Sequence, residues 1–150
     1  MMRALITNTL FVLSILLSAQ ALAFDVGGLS YTVIPKTTNV EVIGRATGNS
    51  DADIVIPDSV IGNNFIPYSV TTIGGFAFQN NALTSVTIGN SVTTIGERAF
   101  QGNALTSVII PDSVTTIGDD AFRDNDLTSV TIGNSVTSIG AYAFANNTLT

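Results

Sequence analysis

The chain has 150 residues with 5 basic and 11 acidic side chains, a formal net charge of −6, and neither histidine nor cysteine. An acidic chain with so few lysines and arginines is a poor partner for nucleic acid or an anionic membrane surface. Without His or Cys it lacks the usual general base, thiol nucleophile, transition-metal ligands and disulfides.

The segment from Met1 to Ala23 reads as a secretory signal peptide. Arg3 supplies the positive start, Ala4 to Ser18 is mostly apolar, and Ala21-Leu22-Ala23 is a small-x-small site with cleavage before Phe24. An uncleaved anchor is the alternative, but the apolar run is short for a membrane span and Thr7, Asn8 and Thr9 interrupt it. Export is therefore expected, to the outside or the cell surface, with no membrane insertion once the signal is removed.

Residues 24–53 differ in pattern from the remainder of the chain. Leu29 to Ile34 and Val40 to Ile43 alternate apolar and polar residues around Pro35-Lys-Thr-Thr-Asn39, which predicts a β-hairpin. Ala46 to Asp53, ATGNSDAD, is loop by composition. Ile54-Val-Ile-Pro-Asp-Ser-Val60 matches Val108-Ile-Ile-Pro-Asp-Ser-Val114 further on, and a 10-residue insertion, Ile61 to Val70, then delays the continuation VTTIGGFAFQNNA.

From Leu83 one block of sequence recurs without a gap. It reads LTSVTIGNSVTTIGERAFQGNA, then LTSVIIPDSVTTIGDDAFRDND from Leu105 and LTSVTIGNSVTSIGAYAFANNT from Leu127, and Leu149-Thr150 opens a further copy. A short unbroken period is the mark of a stacked solenoid, in which no unit buries its apolar face alone. Leu83, Val86, Ile88, Val92, Ile95, Ala99 and Phe100 are the expected core of one coil, each with an apolar counterpart one period later. Alternation within SVTI predicts a half-buried strand with Ser85 and Thr87 outward. Gly89, Pro111 and Gly133 share the next position, read as a turn whose N–H no ladder needs. Asn90, Asp112 and Asn134 come after it, suited to bond the backbone two residues on. After Gly96, Gly118 and Gly140 a short helical or 3₁₀ turn is expected to carry Ala99 and Phe100 inward. Asn81, Asn103, Asn125 and Asn147 are placed to bond backbone of their own and neighbouring coils.

The motif LTSVTIGNSVTTIGERAF, with its x-x-N-x-L junction, resembles the BspA-like, or treponemal-type, leucine-rich repeat family over Ile54 to Thr150. The lead-in FDVGGLSYTVIPKTTNVEVIG is also similar to segments that precede such repeats. Family units usually run to about 23 residues with Pro after the first strand; here the unit has 22 and often Gly. The resemblance implies a β-rich solenoid: a leucine-rich-repeat right-handed coil of 22-residue repeats over residues 54–150, capped by the hairpin at 24–53. It also implies a curved stack with strands on the concave face, and secreted or surface proteins of which some are adhesins. It carries over no catalytic residues.

Candidate chemistry is sparse. No Ser has a His partner, and a Ser-Lys pair could use only Lys36, so the chain does not read as an enzyme and no cofactor is expected. Asp119, Asp120, Asp124 and Asp126 could offer oxygens to calcium, but their spacing fits neither an EF-hand nor a calcium-binding repeat, and solvated surface is the preferred reading. Adjacent Thr pairs in VTTI lack the T-x-T spacing that an ice-ordering face needs. The candidate contact surface is two outward columns, Ser85-Ser107-Ser129 and Thr87-Ile109-Thr131, expected to meet a protein or glycan partner. The alternative is a structural spacer, or a fragment of a larger surface array, with no ligand of its own.

Overall fold

The structure is a computed structural model that describes residues 23–150. The predicted signal therefore lies outside the described residues, apart from Ala23. The described chain is built of strands and turns without helix.

Three strands open it: β1 (Ala23–Val26), β2 (Leu29–Val33) and β3 (Asn39–Arg45). β1 pairs antiparallel with β2, and β2 with β3. The predicted hairpin is thus β2 and β3, and the sequence reading missed β1. Its alternation is only Phe24-Asp25-Val26, too short to separate from the end of the signal. Phe24 is nonetheless buried, stacked on Tyr31 with ring centres 5.7 Å apart.

Next come β4 (Asp53–Ile56), β5 (Ser59–Ile61) and β6 (Pro67–Ile73). The insertion is a hairpin: β5 and the start of β6 pair antiparallel. Each repeat then supplies a four-residue and a two-residue strand: β7 (Ser85–Ile88) and β8 (Thr94–Ile95), β9 (Ser107–Ile110) and β10 (Thr116–Ile117), β11 (Ser129–Ile132) and β12 (Ser138–Ile139).

One ladder runs the length of the molecule, in the order β1-β2-β3-β6-β8-β10-β12. It changes from antiparallel to parallel at β3–β6, where the first strands seat directly on the edge of the repeats. Beyond β6 it joins residues one period apart: Thr72, Thr94, Thr116 and Ser138 in one row, Ile73, Ile95, Ile117 and Ile139 in the next. On the other side of the stack the strands form two separate pairs, β4 with β7 and β9 with β11.

The core lies between these two sides. Leu83, Val92, Ile95, Ala99 and Phe100 are fully buried, as are their counterparts Leu105, Val114, Ala121 and Phe122. Phe78, Phe100, Phe122 and Phe144 form a continuous stack with ring centres 5.4, 5.1 and 5.3 Å apart. Rings so close and nearly parallel exclude water from their shared faces.

The expected helical turn is absent. Ala99 N–H donates to Gly96 O at 3.3 Å, and Arg98 between them has φ of 53°. Phe76, Asp120 and Tyr142 hold the same left-handed place in their coils. A positive φ at the third residue of a four-residue turn makes a type II-like turn and stops any right-handed helical run. Three of the four residues in the Asn column bond both their own and the neighbouring coil, while the Asn81 side chain reaches only Gln79 O of its own coil at 2.8 Å. Asn125 Nδ2 donates to Phe100 O at 2.9 Å and Phe122 O at 3.0 Å, while its Oδ1 accepts from Leu105 N–H at 3.2 Å. Asn103 and Asn147 repeat the arrangement one coil either side.

Candidate functional site

All six predicted contact residues are exposed. The ladder between β9 and β11 sets Ser107 against Ser129 and Ile109 against Thr131, as the columns require. It does not reach Ser85 and Thr87, whose partners in β4 are Asp53 and Val55. Among the described residues, β7 and β9 share no ladder.

The glycine and proline column accounts for this break. A Cβ on Gly89 would lie 2.8 Å from both Ile56 O and Pro57 C, and one on Gly133 would lie 2.5 Å from Pro111 O. Both positions face the backbone of the preceding coil, and only a residue without a side chain lets the coils close to ladder distance. Position 111 holds Pro, with a Cβ, a ring and no N–H. The ladder is missing on this side where Gly89 is followed by Pro111, while bonds such as Gly118 N–H to Ile95 O at 2.8 Å join the same two coils elsewhere, and each strand pair begins at a Pro coil and ends at a Gly coil. The requirement at this position is space toward the coil below. A dispensable N–H, which the sequence alone points to, is the lesser matter.

A groove of about 750 Å³ runs along β7, β9 and β11 across this break. Ser85, Thr87, Ser107, Ile109 and Thr131 border it; Ser129 does not. Val86, at the floor, is half-buried where its counterpart Val108 is buried. Ile109 stands 69% exposed between the two threonines. Asn90, Asp112 and Asn134 form one rim, and Asp112 is the only charged residue among the lining.

The rim residues act across coils. Asp112 Oδ1 accepts from Asn134 N–H at 2.7 Å, and Asp58 accepts from Asn90 N–H in the same way. The expected bond to the backbone two residues on is replaced, because stacking brings the next coil's N–H within reach. The sequence reading names Asp112 only as a turn residue and does not single out Asp58, although the two IPDSV segments share this carboxylate.

Of the four aspartates weighed as calcium ligands, three are engaged within the stack. Asp120 is buried and faces Arg98 at 3.4 Å and Arg123 at 3.2 Å. Asp119 Oδ1 accepts from Ala141 N–H at 2.8 Å. The side-chain amide of Asn146, 2.7 Å from Asp124 Oδ1, holds that carboxyl below the usual carboxylate range, helped by Gln101 and Arg123. Thr71, Thr93, Thr115 and Thr137 form a row in which each hydroxyl after the first donates to the preceding Thr carbonyl at 3.1–3.2 Å.

Comparison with known proteins places this architecture. Residues 57–150 match the BspA type leucine rich repeat region in 6 copies. A leucine-rich repeat protein from Bacteroides capillosus superposes with a TM-score of 0.51 at 22% identity, over 79% of this chain and 97% of that one. One from Bacteroides ovatus gives 0.51 at 25% identity, over 81% and 38%. The pneumococcal vaccine antigen PcpA gives 0.60 at 16% identity, over 85% and 42%. This chain thus spans well under half the length of the last two. Among curated proteins none matches.

Proposed function

Because the chain belongs to the BspA-type leucine-rich repeat family, we propose that it is an exported or cell-surface interaction protein that binds a protein or glycan surface through the groove along β7, β9 and β11. One observation carries the reading: the break in the ladder opens at the outward columns, so the exposed hydroxyls of Ser85, Thr87, Ser107 and Thr131 converge on one concavity around Ile109. Neutral hydrogen-bonding groups about an apolar centre, with one carboxylate at the rim, fit a polar partner that is not anionic.

The remaining layout belongs to the same reading. Residues 1–23 act as the export signal, 24–53 as the N-terminal cap and 54–150 as the repeats. Pairing of β3 on β6 supports the cap, since it covers a sheet edge that would otherwise invite aggregation. Ladder registers that join Thr94 to Thr116, Thr116 to Ser138 and Ser107 to Ser129 support a 22-residue coil. The strong right-handed preference of parallel crossovers supports a right-handed one, with β7, β9 and β11 on its concave side. The vaccine-antigen description of PcpA agrees with display outside the cell.

The test is binding of the chain to arrayed surface and matrix proteins and glycans, repeated with Thr87→Arg plus Thr131→Arg. Both side chains are exposed, so the double variant should fold normally and lose binding. Undiminished binding by the folded double variant would place the contact elsewhere.

A further inference from the structure

Many polar side chains along the stack are engaged within it. The hydroxyls of Thr93, Thr115 and Thr137 donate to carbonyls of the preceding coil, and the Gln79 amide donates to Gln101 at 2.8 Å. Asn103, Asn125 and Asn147 are bonded through both their amide nitrogen and their amide oxygen. The groove along β7, β9 and β11 departs from this. Among the described residues, no hydrogen bond engages the hydroxyl of Ser85, Thr87, Ser107 or Thr131, or the side-chain amide of Asn90 or Asn134. Asp112 accepts from Asn134 N–H through Oδ1, which leaves Oδ2 without a partner among them. Asn90, Asp112 and Asn134 are all exposed.

These three residues occupy the same place in successive coils. Coils spaced as neighbouring strands are about 4.8 Å apart, so Asn90 and Asn134 stand roughly 10 Å from each other. Three residues of extended chain, at about 3.3 Å each, cover the same distance. A side-chain amide offers an N–H donor and a C=O acceptor in one plane, the complement of one peptide unit. Two such amides at this spacing fit a peptide that runs along the stack, across the strands. Successive side chains of an extended peptide point to opposite sides, so of the two between the amides one meets Ile109, 69% exposed in the same groove, and the other meets Asp112. A glycan fits less well. Sugar rings dock by laying their C–H faces on aromatic side chains, and among the described residues no aromatic one borders the groove.

We propose that the groove holds an extended peptide segment of a protein partner, its main chain clamped by Asn90 and Asn134, an apolar side chain on Ile109 and a Lys or Arg on Asp112. This names the partner class for the groove described above and rests on that reading. Main-chain clamping gives affinity with little demand on sequence, and the two side chains between the clamps give selectivity. Asp112 and the net charge of −6 both favour a cation, and no positive charge in the lining opposes one.

Selection of random heptapeptides displayed on phage, against the chain purified from an exporting host and held at low salt, is the test. Enriched clones should share an apolar residue next to Lys or Arg. A synthetic peptide of the leading sequence, followed by fluorescence anisotropy, should bind more weakly as salt is raised. Asp112→Asn should weaken it roughly tenfold, since the carboxamide keeps an acceptor for Asn134 N–H and loses the charge. Asn90→Ala with Asn134→Ala should weaken it by roughly tenfold or more. Both residues bond the stack through their main-chain N–H, so the far-UV spectrum of that double variant should match wild type. Methylating the peptide's backbone N–H groups should abolish binding while leaving its side chains in place. Enrichment of acidic clones, or binding indifferent to the double Asn variant or to N-methylation, overturns the proposal. A glycan that binds wild type and not Thr87→Arg plus Thr131→Arg, when no peptide does so, also overturns it and leaves the groove as the contact surface. Absence of any peptide, glycan or protein ligand removes both readings.

Discussion

Replacing Phe100 by Ala tests whether the aromatic stack holds the coils together. Phe100 is fully buried, and its ring faces Phe78 at 5.4 Å on one side and Phe122 at 5.1 Å on the other. Loss of a buried Phe side chain typically costs about 3–5 kcal/mol through lost transfer energy and the cavity left behind. Two ring pairs, each worth about 0.5–1.5 kcal/mol beyond area burial, place this site in the upper part of that range, about 4–5 kcal/mol. Relaxation should recover little, because backbone bonds such as Phe100 N–H to Ala121 O at 2.8 Å fix the coil spacing. Phe144 supplies the internal control: it is only partly buried and has one stacked neighbour, Phe122, at 5.3 Å. Phe144→Ala should cost about 2 kcal/mol, with half the stacking and part of the cavity. Urea unfolding followed by far-UV circular dichroism gives both values, provided the slope against denaturant stays at the wild-type value. A loss under about 1 kcal/mol for Phe100→Ala, or equal losses at the two positions, would refute the stack as the central support.

Asn125→Ala leaves Leu105 N–H without its side-chain acceptor in a buried site and removes one of the two amide donors from each of Phe100 O and Phe122 O, and should cost about 1–3 kcal/mol in the same assay. Gly118→Ala sets a Cβ 2.6 Å from Glu97 N and 2.7 Å from Gly96 C, both backbone, so the coils must part; thermal denaturation should show a clear fall in midpoint. Tyr31 is buried, which pushes its phenol up to about 12 from an ordinary 10. The folded state favours the neutral phenol, so this contribution is intact below pH 10 and lost as pH rises through about 12; Tyr31→Phe should flatten that decline in a pH series of unfolding midpoints. Pro111→Gly should let β9 close on β7. Amides of Ser107 to Ile110 should then exchange more slowly with deuterium, while unchanged exchange would mean that Pro111 does not hold the gap open.

Much of the fold was legible because the repeat states each requirement several times. Leu83, Ile95 and Phe100 recur at fixed spacing, and a position that must be apolar in every coil can only face the shared core. The Asn column was readable for the same reason, since a polar residue kept among buried neighbours must satisfy backbone groups there. What the repeat does not state is what happens once. β1 lies outside the period and was missed, and the 10-residue insertion registered as a delay with no hint of its hairpin. The turn after Gly96 was misread for a different reason: Arg98, Asp120 and Tyr142 have nothing in common as residue types that would announce a positive φ. That conformation is imposed by the coil above and below, through bonds such as Arg98 N–H to Asp119 O at 2.8 Å.

The groove belongs to a third kind of information, carried by a departure within the period. Gly89, Pro111 and Gly133 were visible as one column, yet a column read as a list of tolerated residues hides the contact each makes with the coil below it. In a stack the environment of each residue includes its counterpart one coil earlier, so the informative unit is the ordered pair. Pro57 followed by Gly89 closes, Pro111 followed by Gly133 closes, and Gly89 followed by Pro111 opens. Read that way, the single Pro in three otherwise matching repeats specifies where the sheet parts, while the row of Thr72, Thr94, Thr116 and Ser138 on the opposite side stays continuous and holds the coils together. A one-sided break of this kind creates a concavity without lengthening the coil or disturbing the aromatic stack. Moving the Pro should therefore move the groove: Gly133→Pro with Pro111→Gly ought to close the gap between β7 and β9 and open one between β9 and β11.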